Sequence, residues 1–245
     1  MAQDCAGSHT STGCASVTDA PNVLVLGIGN LLWADEGFGV RAVEELHARY
    51  EFPENVRVMD GGTQGIYLVQ YIREADILIV FDAVDYGLPP ATMKLVEGDE
   101  VPKFLGAKKI SLHQTGFQEV LAMAEMMGDY PAHLLLIGVQ PVELEDYGGS
   151  LRPQVKAQIA PAIDAALEFL AGHGIAATPR AEPLCEDFTI ASQEMALSRY
   201  EAGRPDAVEA CRHGDERVIA GQGWQGPLDF EAEITEILGK PKAGV

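Results

Sequence analysis

Apolar residues along this chain fall into short unbroken runs, separated by stretches in which they recur every three or four positions. VLVLGIG, Val23–Gly29, is continuous and ends in glycines, which is how a strand buried on both faces of a parallel sheet reads. In GFGVRAVEELHARY, Phe38, Val43, Leu46 and Tyr50 fall roughly on one helical face. NVRVMDGG predicts a second strand and GIYLVQYIREA a second helix. DILIVFDAV, Asp76 to Val84, is the most apolar strand, and TMKLVEGDE suits a short further one. TGFQEVLAMAEMMG predicts a third helix, HLLLIGVQP another buried strand, and PQVKAQIAPAIDAALEFLAGHG one long closing helix. Strands alternating with helices predict an α/β fold, a twisted, mostly parallel sheet with helices on both faces.

This alternation occupies residues 22–175. Residues 1–21 are rich in Ser, Thr, Ala and Gly without periodicity and read as a disordered lead-in. Residues 176–245 form a C-terminal extension, partly helical or disordered, with short helical stretches interrupted by GRP and an amphipathic turn from Phe230 to Leu238.

Charge narrows the function classes. Acidic residues number 37 against 17 basic ones, for a net charge of −20. Such a surface repels phosphate backbones and anionic lipids, so neither nucleic acid nor membrane is an expected partner. No apolar run reaches bilayer-spanning length, and the N-terminus has no basic n-region or apolar h-region. Cys5, Cys14, Cys185 and Cys211 lie far apart with no C-x-x-C pair, as expected of reduced thiols in a cytoplasmic protein.

The segment GIGNLLWADEGFG, Gly27–Gly39, invites comparison with nucleotide-binding loops. Gly27 and Gly29 fit the dinucleotide pattern, but Leu32 stands where the third glycine belongs, removing the usual means of close helix–strand packing. Asp35 and Glu36, at the expected start of the helix, occupy the place an anion would take. The bland alternative for this acidic pair is helix capping.

In an open α/β sheet, ligands bind beyond the carboxyl ends of the strands. Asn30, Asp35 and Glu36 follow the first strand, and Asp60 the second, in DGGT, where Gly61 and Gly62 permit a sharp turn. Asp82 ends the third, with Asp85 a competing candidate just beyond it. His113 stands immediately before the third helix, in a loop or at a strand end. His133 begins a strand and so belongs to the opposite rim. Glu36, Asp82 and His113 therefore have the means to meet at one edge. Two carboxylates and an imidazole suit a divalent metal such as zinc or nickel, with coordination positions left for water or substrate. A metal there would polarise a carbonyl and activate water for hydrolysis.

GIGNLLWADEGFGVRAVEEL, VMDGGTQG, DILIVFDAVDYG, ISLHQTGFQEVL and LLLIGVQPVELE, in this order over roughly Val23 to Gly174, resemble the [NiFe]-hydrogenase maturation endopeptidases. TPRAEP and RYEAGRP add a likeness to members that process uptake hydrogenases. The resemblance implies removal of a short C-terminal peptide from the hydrogenase large-subunit precursor after nickel insertion. It implies that Glu36, Asp82 and His113 contact the metal. It also implies that Asp60, Gly61, Gly62 and Thr63 help recognise the substrate. The nickel is then carried by the precursor, and no permanently bound metal is expected. The alternative is a non-catalytic, metal-dependent checkpoint that binds the precursor without cutting it.

Overall fold

The computed structural model describes residues 20–102, 112–185, 190 and 192–204, and for residues 112–116 the backbone alone. Two compact units divide the chain, Met1–Ala202 and Gly203–Val245, and the elements below belong to the first. The Phe230–Leu238 turn and residues 1–19 of the lead-in lie outside the described residues.

Five strands form the main sheet: β1 (Val23–Ile28), β3 (Val56–Gly62), β4 (Ile77–Ala83), β5 (Met93–Glu97) and β6 (His133–Val139). Their order is β3-β1-β4-β6-β5, parallel except for β5, which runs antiparallel along β6 at the edge. A small antiparallel pair joins β2 (Tyr50–Glu51) to β7 (Thr178–Pro179).

Alternation along the central strands sends successive side chains to opposite faces, and each face has its own helical layer. Val23, Val25, Ile77, Ile79, Phe81, Leu135 and Ile137 pack with residues of α1 (Phe38–Arg49) and α5 (Ile159–Gly172). Leu24, Leu26, Ile28, Leu78, Val80, Leu134 and Leu136 pack with α2 (Val69–Ile72) and α3 (Leu112–Met127). The central strands are apolar throughout because both their faces are covered. Each large side chain fully buried in this way contributes about 1.5–3 kcal/mol.

Three helical boundaries differ from expectation. The closing helix is broken into α4 (Pro153–Lys156) and α5. Pro161 has no N–H to donate to the Ala157 carbonyl and its ring would clash there, so the helix stops and restarts at Ile159. The second helix opens as a 3-10 turn, Gly65–Leu68, and is α-helical only over Val69–Ile72. The third begins at Leu112, which places His113 in its first turn rather than ahead of it.

The compact unit runs past Ile175. The Arg180 N–H donates to the Arg49 carbonyl at 2.8 Å, and that of Leu184 to the Ala48 carbonyl at 2.9 Å. Beyond them α6 (Leu197–Ala202) returns to the domain. There the Tyr200 hydroxyl reaches the Gly149 carbonyl at 3.2 Å, and the Ser150 hydroxyl donates to Glu201 at 2.8 Å.

Candidate active site

The chain leaves β1 toward β3 on one side and reaches β4 on the other. The crevice between the carboxyl ends of β1 and β4 is therefore the topological switch point, where open α/β sheets place ligands. Glu36 follows β1 and Asp82 lies near the carboxyl end of β4, both at this end of the sheet.

Glu36 lies on a 3-10 turn, Ala34–Gly37, that carries β1 into α1. Glycines let this turn sit directly on the strand ends. A Cβ on Gly29 would fall 1.8 Å from the Glu36 carbonyl oxygen. One on Gly39 would fall 2.2 Å from the carbonyl oxygens of both Ile28 and Phe81, and one on Gly27 would fall 2.3 Å from that of Gly39. The helix thus packs closely on β1 and β4 without the third glycine of a nucleotide loop, Gly39 taking that part. These glycines serve packing, by a route other than the usual third glycine.

The acidic pair divides. Neither carboxylate caps the 3-10 turn or α1, contrary to the capping alternative. Asp35 is fully buried, and its Oδ2 accepts the N–H groups of Val142 and Glu143, each at 2.8 Å. Its Oδ1 accepts the Arg152 N–H at 2.6 Å, and its own N–H donates to the Glu143 carbonyl at 3.1 Å. Asp35 thereby ties the loop after β6 across the loop after β1. Glu36, its neighbour, is half-buried. Ala34, just before the pair, holds φ at 42°, which costs a non-glycine residue about 1–2 kcal/mol. Trp33 packs edge-on against Tyr147, ring centroids 5.2 Å apart, beside backbone bridges to Tyr147 and Gly149. The turn bearing Glu36 is therefore held from both sides.

Asp82 ends the central strand opposite Gly138 and is only 1% exposed. It shares the sheet face of Leu78 and Val80, the face that α3 covers. Tyr86 stands beside it: a Cβ on Gly138 would meet the Tyr86 hydroxyl at 2.7 Å. Burial, and then the charge of Asp82, raise the Tyr86 hydroxyl well above the ordinary phenol value, so it stays protonated. Asp85 lies in the turn beyond β4. Its Oδ1 accepts the Gly87 N–H at 2.8 Å and a Gln140 side-chain N–H at 2.8 Å. Gln140 Oε1 in turn accepts the N–H groups of Tyr86 and Leu88. Tyr86 and Gln140 were missed in the sequence. A buried glutamine at the end of an apolar strand was the available signal for the second.

His113 lies in the first turn of α3, the helix that covers the sheet face Asp82 shares, and its side chain lies outside the described residues. Among the described residues, no group of three or more His, Cys, Asp or Glu side chains is placed to hold a metal ion. His133 starts β6 at the opposite rim, its ring tilted against that of His173 with centroids 4.4 Å apart.

The DGGT segment ends β3 next to β1, with the Gly29 N–H donating to the Gly62 carbonyl at 3.1 Å. Gly61 is buried, where a Cβ would fall 2.8 Å from Leu26 Cδ1, and Gly62 holds φ at 45°. Asp60 is half-buried. Burial raises its carboxyl above the ordinary value, against the pull of the Gly62 amide and the Arg41 charge. Thr63 is exposed, and Ile66 and Tyr67 follow it, Tyr67 at 73% exposure. Leu32, Val142 and Tyr147, on loops after β1 and β6, are also exposed apolar residues.

No helix among the described residues is long and apolar enough to cross a membrane. A family model described as hydrogenase maturation protease matches residues 40–169. The hydrogenase expression/formation protein HupD of Thiocapsa roseopersicina is 65% identical over 199 residues, covering 81% of this chain and 90% of its own. The hydrogenase 2 maturation protease of Escherichia coli is 43% identical over 159 residues, covering 64% of this chain and 96% of its own. Among solved structures, the hydrogenase maturating endopeptidase HybD from E. coli superposes with a TM-score of 0.63 at 41% identity, covering 65% of this chain and 98% of that one. With a sheet, a switch-point crevice and an acidic rim of this kind, the chain belongs to the hydrogenase maturation proteases, a family of hydrolases.

Proposed function

We propose that this chain is the cytoplasmic endopeptidase that removes the C-terminal peptide of the [NiFe]-hydrogenase large-subunit precursor once nickel has been inserted. The observation that carries this reading is the position of Asp82. Its carboxylate is kept almost wholly out of solvent at the end of the central strand, in the switch-point crevice, beside the glycine-packed turn that presents Glu36.

The nickel belongs to the precursor. Glu36, Asp82 and His113 complete its coordination, so that only a metal-loaded precursor is seated productively. A water polarised at that point attacks the scissile carbonyl, and the C-terminal peptide leaves as the amine product. Tyr86, protonated beside Asp82, keeps the crevice polar on the side facing β6. Asp60, Gly61, Gly62 and Thr63 receive the precursor next to the crevice. The exposed apolar side chains on the loops after β1, β3 and β6 suit a protein partner on this rim better than a small molecule.

Mixing the protein with nickel-loaded precursor and with the nickel-free form tests this reading. The expected result is loss of mass at the C-terminus of the loaded form only. Stable association without mass loss would establish a checkpoint that binds but does not cut, and equal cleavage of both forms would remove nickel from the recognition step.

A further inference from the structure

The C-terminal extension holds a buried guanidinium on α1, the helix that packs along β3. Arg41, in α1, is 4% exposed. Its Nη1 donates to Glu44 Oε2 and to the Met195 carbonyl, each at 2.7 Å. Its Cζ lies 5.7 Å from the centroid of the Tyr200 ring. Two of these three contacts come from residues 195–200, over 150 positions further along the chain. That segment is fixed in turn by Tyr200 on Gly149 and by Glu201 on Ser150 and Lys156.

The other end of the guanidinium is unspent. Arg41 Nη2 is buried with no hydrogen-bond partner among the described residues, and Asp60 Oδ1 is in the same condition. The two charges act on each other. α1 packs along β3, and Asp60 shares a strand face with Val56 and Val58, the face of the α1 cluster. A buried arginine whose fork is half occupied by the extension, beside an acid whose inner oxygen is unmatched, is a costly arrangement for packing alone.

We infer that Arg41 is a positioning residue: gripped by the extension through Met195 and Tyr200, it sets the Asp60–Thr63 segment in the geometry that receives the precursor. The extension thereby acts on substrate recognition without touching the crevice of Glu36 and Asp82. This fits its presence in near relatives. The 199-residue match to the Thiocapsa protein is longer than residues 1–175, so it reaches into the extension.

The kinetic arm of the test rests on the proposed cleavage reaction, and the second arm does not. Arg41→Met/Glu44→Leu in the full chain removes both members of the buried pair, which spares the fold an unpaired charge. With nickel-loaded precursor its KM is expected to rise about tenfold while kcat changes less than about twofold. Arg41→Lys, which keeps the charge and loses the fork, falls between it and the parent. Independently of activity, backbone amides of Gly61–Gln64 exchange with solvent faster in the double variant than in the parent. Tyr200→Leu moves both readouts in the same direction and serves should the double variant not fold. Parent-like KM and parent-like exchange would overturn the inference. If the parent itself leaves the precursor intact, the cleavage reading fails, and the exchange arm alone decides the role of Arg41.

Discussion

Asp35 and Arg152, 117 positions apart, are joined by a 2.6 Å hydrogen bond from the Arg152 N–H to the Asp35 Oδ1. With the two bonds from Val142 and Glu143 to Oδ2, one buried carboxylate closes the loop after β6 over the loop after β1. Asp35→Asn keeps the volume but turns an amide N–H toward backbone donors. We expect a loss of about 3 kcal/mol in unfolding free energy, since bonds to a charged acceptor weaken and a buried donor loses its partner. Equilibrium urea unfolding checks this. Glu36→Gln, one residue on and half-buried, should leave the unfolding midpoint nearly unchanged, which separates the two halves of the acidic pair.

Gly39 tests what the glycines are for. A methyl group there would stand 2.2 Å from the carbonyl oxygens of Ile28 and Phe81, both backbone atoms that cannot swing aside. Gly39→Ala should therefore destabilise by about 3 kcal/mol or more, by pushing α1 off the strand ends. The same displacement moves Glu36 relative to Asp82, so processing should fall further than the folded fraction alone explains. Thermal unfolding beside a precursor assay measures both. Added nucleotide should not shift the melting temperature of the parent, because a ligand stabilises only the state it binds.

Much of this arrangement was legible in the chain. The unbroken runs at Val23–Ile28, Ile77–Ala83 and Leu134–Val139 mark strands covered on both faces, and strand ends followed by Glu36, Asp60 and Asp82 marked the rim. Pro161 was a readable break in the closing helix that apolar periodicity overrode. Long-range pairing was not legible. Asp35 with Arg152, and Arg41 with Met195, lie more than 100 positions apart, and no local pattern separates a carboxylate that ties loops from one that faces substrate. The partners of Asp85 were likewise not legible, because only the pairing of β4 with β6 brings Gln140 to it.

That pairing makes Asp82 and Asp85 separable in one assay. Asp85→Asn keeps an Oδ1 acceptor for both the Gly87 N–H and the Gln140 side-chain N–H, so Gln140 need not turn from the Tyr86 and Leu88 N–H groups. Processing should stay within about threefold of the parent, the scale of a retained neutral hydrogen bond. Asp82→Asn removes the charge in the crevice and should lower the rate by roughly 100-fold or more, as loss of a catalytic carboxylate does. His113→Ala should do the same while leaving the unfolding midpoint within about 1 kcal/mol of the parent. Precursor mass loss against time, with circular dichroism on each variant, reads both effects. Equal damage from Asp82→Asn and Asp85→Asn would return the site assignment to open ground.

Asp60 should carry a pH signature of its own. Burial raises its carboxyl above the ordinary value of 3.8, and the Gly62 amide and the Arg41 charge only partly offset that. Between the two values the folded protein holds more protons than the unfolded chain, so this residue's contribution falls as pH rises through that window. Below the unfolded value it costs nothing, and above the folded value the cost is constant. Asp60→Asn, which removes the titration, should therefore gain stability relative to the parent as pH is raised out of the acid range, the difference shrinking toward pH 3.8. Paired urea titrations at several pH values measure that difference. A difference of the opposite sign, the parent gaining on the variant as pH is raised, would mean that the Arg41 charge, rather than burial, dominates at Asp60.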